Sequence, residues 1–359
     1  MPKAHYIIPI FVPHKGCPFD CVFCNQKKIT GLSTDITPKE VEFQIEEYVA
    51  TIGDVEKKHV EIAFFGGSFT GIEKHKQEEL LTIASKWKKR GMIKDIRLST
   101  RPDYINVSIM EFLKSFGVTI VELGVQSMDN EVLIKSDRGH TEEAVMNAVK
   151  IMRQFDVKIG LQMMIGLPGD HLQKTNCTVD KIIALSPDFV RIYPTLVVRD
   201  TYLEKMYLEG KYKPLSVKDA TDISKGLLLK FLKKEIPVIR IGLQPTENIL
   251  LGKEVIAGPF HPSFRQLVES EIFKDMLDYL FSKHEIQNRS WLELQVNDRT
   301  ISSLVGHKKT NMDFIKNKYK IKRIKISRNN RLENGKMKVS NESEEMLSFS
   351  MKQYADNVI

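Results

Sequence analysis

Strand-like apolar runs alternate with helical patterns from Tyr6 to Leu243, which predicts an α/β fold. The pattern changes after Leu243, which predicts a smaller α+β region behind it. Charge marks the same division: the net +8 of the 359 residues is concentrated towards the C-terminal end.

The predicted strands are Tyr6–Phe11, His59–Phe65, Asp95–Thr100, Thr119–Val125, Lys158–Ile165 and Asp188–Tyr193. Helical patterns fill the gaps, at Pro38–Thr51, Lys74–Arg90, Val107–Phe116, Glu142–Phe155 and His171–Leu185, with two more after Thr201. Thr37, Pro38 and Glu40 form a capping-box start for the first of these helices. Six β–α units in alternation imply a parallel sheet covered on both faces and joined by right-handed crossovers. Such a sheet is either open and doubly wound or curled into a barrel, and periodicity does not choose between them.

Gly258-Pro259-Phe260-His261-Pro262 is a turn-rich break, followed by a long helix from Ser263 to about Lys283. The remainder reads strand (Trp291–Val296), helix (Arg299–Leu304), helix (Asn311–Lys318), strand (Ile321–Ser327), strand (Lys336–Val339) and helix (Glu342–Asn357). The expected division is therefore a core domain over residues 1–245, a linker and helix over 246–288, and a small basic domain over 289–359. Residues 289–338 hold 14 Lys/Arg against four Asp/Glu. That is a footprint for a polyanion, with a solvated charged face as the plainer alternative.

An apolar content of 42% supports a sizeable core and excludes a disordered chain. No apolar run reaches the roughly 18 residues of a membrane-spanning helix, and the start resembles no signal peptide. A cytoplasmic protein without membrane contact is expected. Four cysteines are too few for a secreted disulfide framework. Cys177, alone in a helical stretch, reads as a buried small hydrophobe.

The other three stand in Cys17-Pro18-Phe19-Asp20-Cys21-Val22-Phe23-Cys24, a C-x3-C-x2-C run directly after the first strand. Three thiolates on a tight loop can hold three irons of a [4Fe–4S] cluster and leave the fourth iron open. A zinc site with His14 as fourth ligand is the competing reading.

With an aromatic residue before its last cysteine, this run resembles the signature of radical S-adenosylmethionine (SAM) enzymes. The resemblance implies an incomplete (β/α)6 barrel, a [4Fe–4S] cluster on Cys17, Cys21 and Cys24, and SAM bound at the open iron. It further implies reductive cleavage of SAM to a 5′-deoxyadenosyl radical, with an electron donor of the flavodoxin or ferredoxin type. It places SAM contacts at strand ends: Phe65, Gly66 and Gly67; Ser99 or Thr100; Gln126; Arg138, as partner of the methionine carboxylate; and Gln162, Ile165 and Gly166 near adenine. Taken alone, the glycine pair is a turn, the neighbouring methionines are core and Arg138 is a surface arginine.

Within the superfamily, Ser99-Thr100-Arg101-Pro102-Asp103-Tyr104, Arg138-Gly139-His140-Thr141 and Tyr193-Pro194-Thr195-Leu196 are most similar to the radical domain of the Elongator catalytic subunit. Gly124-Val125-Gln126 is more distantly similar to oxygen-independent coproporphyrinogen oxidase. Nothing after Leu243 has the length or glycine pattern of the Elongator subunit's acetyltransferase domain. The tail order, with Gly306-His307-Lys308-Lys309 between two helices, resembles a degenerate KH domain. That resemblance implies an RNA-binding module, with Gly306, Lys308, Lys309, Lys322 and Arg323 as contacts and RNA, tRNA in particular, as partner. Two other functions stay open: a radical enzyme acting on a small molecule such as a porphyrin, and a non-catalytic iron–sulfur or haem-binding protein.

Overall fold

The computed structural model describes residues 5–12, 21–25, 36–245, 249–340 and 345–359. The chain forms two compact bodies: Met1–Leu215 with Leu243–Phe260, and Ser216–Gly242 with His261–Ile359. Among the described residues no helix is long and apolar enough to cross a membrane.

The first body opens with strand β1 (His5–Val12), then α1 (Pro38–Ile52), β2 (His59–Gly66), α2 (Lys74–Lys89), β3 (Asp95–Thr100), α3 (Val107–Ser115) and β4 (Ile120–Gln126). It continues with α4 (Asn130–Lys135), α5 (Glu142–Met152), β5 (Lys158–Ile165), α6 (Leu172–Ala184), β6 (Phe189–Pro194) and α7 (Tyr202–Leu208). Neighbouring strands β1 to β6 follow chain order and pair in parallel. The sheet curls as the incomplete barrel that was expected. Thr37 and Glu40 make the capping box that starts α1.

One sheet face is apolar, and Ile8, Ile10, Ile62, Phe64, Leu98, Val121 and Leu161 are buried there against the helices. The other face carries charge. Arg97 donates to Glu122 at 2.9 Å and to Glu61 at 3.1 Å, while Arg191 donates to Glu122 at 3.0 Å. Gly160 makes room for this network: a Cβ there would lie 2.3 Å from the Phe189 ring and 2.9 Å from Glu122 Cγ. Charges packed this deeply hold only while they remain paired.

Cys177 corrects an expectation. On α6 the buried residues are Thr175, Thr178, Val179 and Ile182, which leaves Cys177 on the exposed side.

The second body comprises α8 (Val217–Lys233), β7 (Val238–Ile241), α9 (Phe264–Lys283), β8 (Trp291–Val296), α10 (Ile301–Val305), α11 (Thr310–Tyr319), β9 (Arg323–Arg328), β10 (Lys336–Ser340), β11 (Glu345–Ser350) and α12 (Met351–Val358). Its four-stranded sheet has the order β9-β8-β10-β11; β8 and β9 are parallel and the other pairs antiparallel. The helix expected over Glu342–Asn357 is instead a strand followed by a helix. Ser350 caps α12 in a capping box with Gln353, so the helix starts there, and Phe349 before it pairs with Met337. The extra strand departs from the β-α-α-β-β-α order of the KH resemblance.

This partition also differs from the division expected at residues 245 and 289. The long helix expected there is α9, and its Phe273, Met276 and Phe281 are buried. The buried Asn311 amide donates to the Ser270 carbonyl of α9 at 2.8 Å, and the Tyr319 hydroxyl donates to Asp278 at 2.6 Å.

Candidate active site

The site lies at the C-terminal ends of the first body's strands, where barrel folds gather their functional groups. At the end of β2, Gly66 has φ +106° and a Cβ on it would fall 2.4 Å from the Val12 carbonyl oxygen. Gly67 N–H donates to that same oxygen at 3.0 Å. The glycine pair therefore clamps β2 to the end of β1, which is more than a bare turn requires.

Strand alternation separates the two candidates on β3. Ser99 shares the charged face with Arg97, whereas Thr100 points among the helices and bonds Thr70 through its hydroxyl at 2.6 Å. On β4 the register slips between Gly124 and Gln126, and Gln126 adopts a left-handed backbone with φ +68°. A buried non-glycine residue in that conformation stores strain, a feature that clusters at functional sites. Its Oε1 is buried without a hydrogen-bond partner among the described residues.

Cys21 is buried, and Arg138 Nη1 donates to its sulfur at 3.4 Å. Arg138 Nη2 donates to the Gly124 carbonyl at 2.6 Å, an approach that only a glycine allows, since a Cβ there would lie 2.8 Å from that nitrogen. The surface-arginine alternative fails, because Arg138 is 7% exposed. The loop is held from both sides: Val22 N–H donates to the Ser136 carbonyl at 3.1 Å, and Leu203 N–H to the Val22 carbonyl at 2.7 Å. Cys24 follows, its N–H on the Cys21 carbonyl at 2.9 Å. Cys17 and His14 lie outside the described residues.

Cys21, Arg138, Gly124 and Gln126 thus come together, with Gln162 beside Gly124 in register. Ile165 and Gly166 stand differently. The Ile165 side chain faces the buried helix side, and its carbonyl accepts from Thr195 Oγ1 at 2.8 Å. Gly166 N–H donates to Asp170 at 2.9 Å, and its carbonyl accepts from the Tyr212 hydroxyl at 2.6 Å. Its Cβ would fall 2.8 Å from Leu215.

Two residues in the quoted motifs had no role assigned from sequence. Arg101 is 1% exposed, pairs with Asp103 and donates to the Arg138 carbonyl at 2.7 Å, fixing the loop that aims Arg138. An arginine two residues before an aspartate, straight after a strand, was the available signal. His140 is buried with Nε2 3.2 Å from the Val125 carbonyl. Burial first, then the charges of Arg138 and Arg101, lower its pKa to about 3. A histidine so depressed is neutral when folded, but in the unfolded chain it takes a proton below about pH 6.5. Its contribution is therefore complete above pH 6.5 and declines as the pH falls towards 3, at up to about 1.4 kcal/mol per pH unit. Denaturant melts from pH 7 to 5 should show this slope in wild type and a shallower one in His140→Gln.

The thiolate and guanidinium donor set fits an anionic thiolate-ligated centre, and Gln126 Oε1 and Arg138 Nε, without partners among the described residues, fit a polar ligand beside it.

In the second body, Lys318, Lys325 and Arg328 pair with Asp278, Glu293 and Asp298. Lys308, Lys309, Lys322 and Arg323 are exposed and have no carboxylate within salt-bridge distance among the described residues. Gly306, Lys308 and Lys309 all take positive φ, at 79°, 50° and 67°.

Residues 11–181 match the family model of the Radical SAM superfamily, and residues 187–274 match that of the Radical_SAM C-terminal domain. The tRNA uridine(34) acetyltransferase of Methanocaldococcus jannaschii is 25% identical over 271 residues, 63% of this chain and 50% of that protein. Elongator complex protein 3 of Homo sapiens is 31% identical over 150 residues, 40% of this chain and 27% of that protein. The chain spans about half the length of the first curated relatives it matches. Among solved structures, the archaeal Methanocaldococcus infernus Elp3 with an N-terminal deletion superposes with a TM-score of 0.60 at 20% identity. That match covers 79% of this chain and 68% of the other, and it supports the fold. Two adjoining models of one family account for most of residues 11–274, and the chain belongs to the radical SAM superfamily.

Proposed function

We propose that this protein cleaves SAM reductively at a [4Fe–4S] cluster held by Cys17, Cys21 and Cys24, and that its substrate is an RNA, tRNA in particular. The observation that carries the reading is the Cys21 sulfur seated on Arg138 beside the strand ends of Gly124 and Gln126. Cluster and SAM together supply a 5′-deoxyadenosyl radical; the chain's own residues bind, orient and exclude water. Arg138 places positive charge at the ligand sulfur, Arg101 holds it there, and Gln126 offers a buried acceptor. Gly66 and Gly67 let backbone approach the bound group. Support for RNA comes from the tRNA-modifying relatives and from the exposed cations Lys308, Lys309, Lys322 and Arg323. A flavodoxin- or ferredoxin-type donor completes the proposal.

The full-length protein, reduced anaerobically, should form 5′-deoxyadenosine from SAM, and tRNA should bind it with a steep salt dependence. Each single-strand phosphate neutralised contributes ~0.7 to the log–log slope. Lys308→Ala with Lys309→Ala should therefore lower the slope by roughly one to two while SAM cleavage without substrate persists. Arg138→Ala should lose SAM affinity on the scale of a charged hydrogen bond, about 1.5–3 kcal/mol. SAM turnover driven by a porphyrin, with salt-insensitive or absent RNA binding, would replace RNA with the small-molecule reading.

A further inference from the structure

We propose that the start of the first body's sheet carries a divalent transition-metal site, formed by His5, His59 and Glu61, with Asp95 as fourth ligand, and that the ion is zinc. The parallel register sets His5 directly opposite His59, and Glu61 follows two residues on, on the same face of β2. The two imidazole centroids are 4.9 Å apart. His5 Nε2 lies 3.4 Å from Glu61 Oε2, and His59 Nε2 lies 2.8 Å from Asp95 Oδ2. One ligand atom from each of His5, His59 and Glu61 falls within 4.8 Å of the others; Asp95 stands outside that set and joins it by turning in from beside His59. A tetrahedral zinc with bonds of about 2.0–2.2 Å separates its ligand atoms by about 3.3 Å, so modest rotation of the imidazoles closes the site.

Burial favours such a site. The imidazoles are half-exposed and reachable from water, while Glu61 beneath them is 1% exposed. Arg97 Nη2 lies 3.1 Å from both Glu61 oxygens, but the same guanidinium also serves Glu122, so one shared cation faces two buried carboxylates. Asp95 is oriented by the Thr119 hydroxyl at 2.7 Å, the outer support that metal-binding carboxylates commonly have. Imidazole and carboxylate together select zinc over calcium or magnesium, which prefer all-oxygen ligands.

The site is separate from Cys21 and its partner Arg138. It stands at the N-terminal ends of β1, β2 and β3, one strand length, about 23 Å for eight residues, from the C-terminal ends. It would tie the edge strand β1 to β2 and β3, although residues 13–58 intervene between the first two strands.

The test uses untagged full-length protein with Cys17, Cys21 and Cys24 all changed to Ser, stripped with a chelator and titrated with zinc. About one zinc per chain should bind and raise the melting temperature. His5→Gln or His59→Gln should each weaken binding by roughly tenfold or more. The double variant should lose both binding and thermal shift while keeping the parent's far-ultraviolet circular dichroism without zinc. Wild-type protein carrying its iron should hold the same additional, histidine-dependent zinc, which keeps the test independent of the cysteine background. No bound zinc in either protein, or equal binding in the double variant, would show that the imidazoles only hydrogen-bond their carboxylates and would overturn the proposal.

Discussion

Cys21→Ala should leave the protein without its iron. Wild-type protein reconstituted without oxygen should bind about four irons and show a [4Fe–4S] signal on reduction. Cys21→Ala and Cys24→Ala should bind close to none, because three thiolates are the minimum that holds such a cluster on a single loop. Cys177→Ala is the control, since that thiol is exposed on α6. Cys21 is the more telling position of the two, for its sulfur is buried and receives Arg138. Iron retained in Cys21→Ala would remove that sulfur from the ligand set, and zinc filling the anaerobic wild type in place of iron at the cysteine loop would replace the cluster with a zinc site.

The second large effect concerns stability. Glu122→Ala should destabilise the fold by about 3–5 kcal/mol, a major share of the 5–15 kcal/mol that holds a typical domain together. Glu122 is the carboxylate that Arg97 and Arg191 share, at 2.9 and 3.0 Å, and all three are buried or nearly so. Removing it takes the carboxylate from Arg191 and leaves Arg97 with Glu61 alone; the two guanidiniums lie over the rings of Phe65 and Phe189 at 5.2 and 5.1 Å. Glu122→Gln keeps the shape and an acceptor and should cost less. Urea titration of both variants decides the matter; near-wild-type stability in Glu122→Ala would mean that water readily replaces the carboxylate.

The six core strands were legible because each is an apolar run bounded by turn chemistry, and their residues fall within a position or two of expectation. The polarity of the inner face was harder to read. Glu61, Arg97, Glu122 and Arg191 each sit between apolar neighbours, and only the register across five strands shows that they meet. The cysteine loop and Arg138 stood out by residue type, but their contact spans 117 positions and no local pattern encodes it. The bulge that twists Gln126 into left-handed backbone is equally silent, since a glutamine gives no sign of positive φ. In the tail, the last helix was drawn too long because Glu342 to Asn357 is polar enough to suit either state. Pairing with β10 decides in favour of a strand.

The chain's return to the first body sets the order in which that body can be finished on the ribosome. Val197–Val198 pairs with Val255–Ala257, and Leu196 and Val198 are buried with Ile249 and Val255. Those partners emerge only after residues 216–242, which belong to the second body, have been made. At roughly 5–20 residues per second, the 45 residues from Leu215 to Phe260 take about two to nine seconds. During that interval the nascent chain presents an uncovered apolar edge, a natural target for chaperones and, in chains that stop short of Phe260, for proteases.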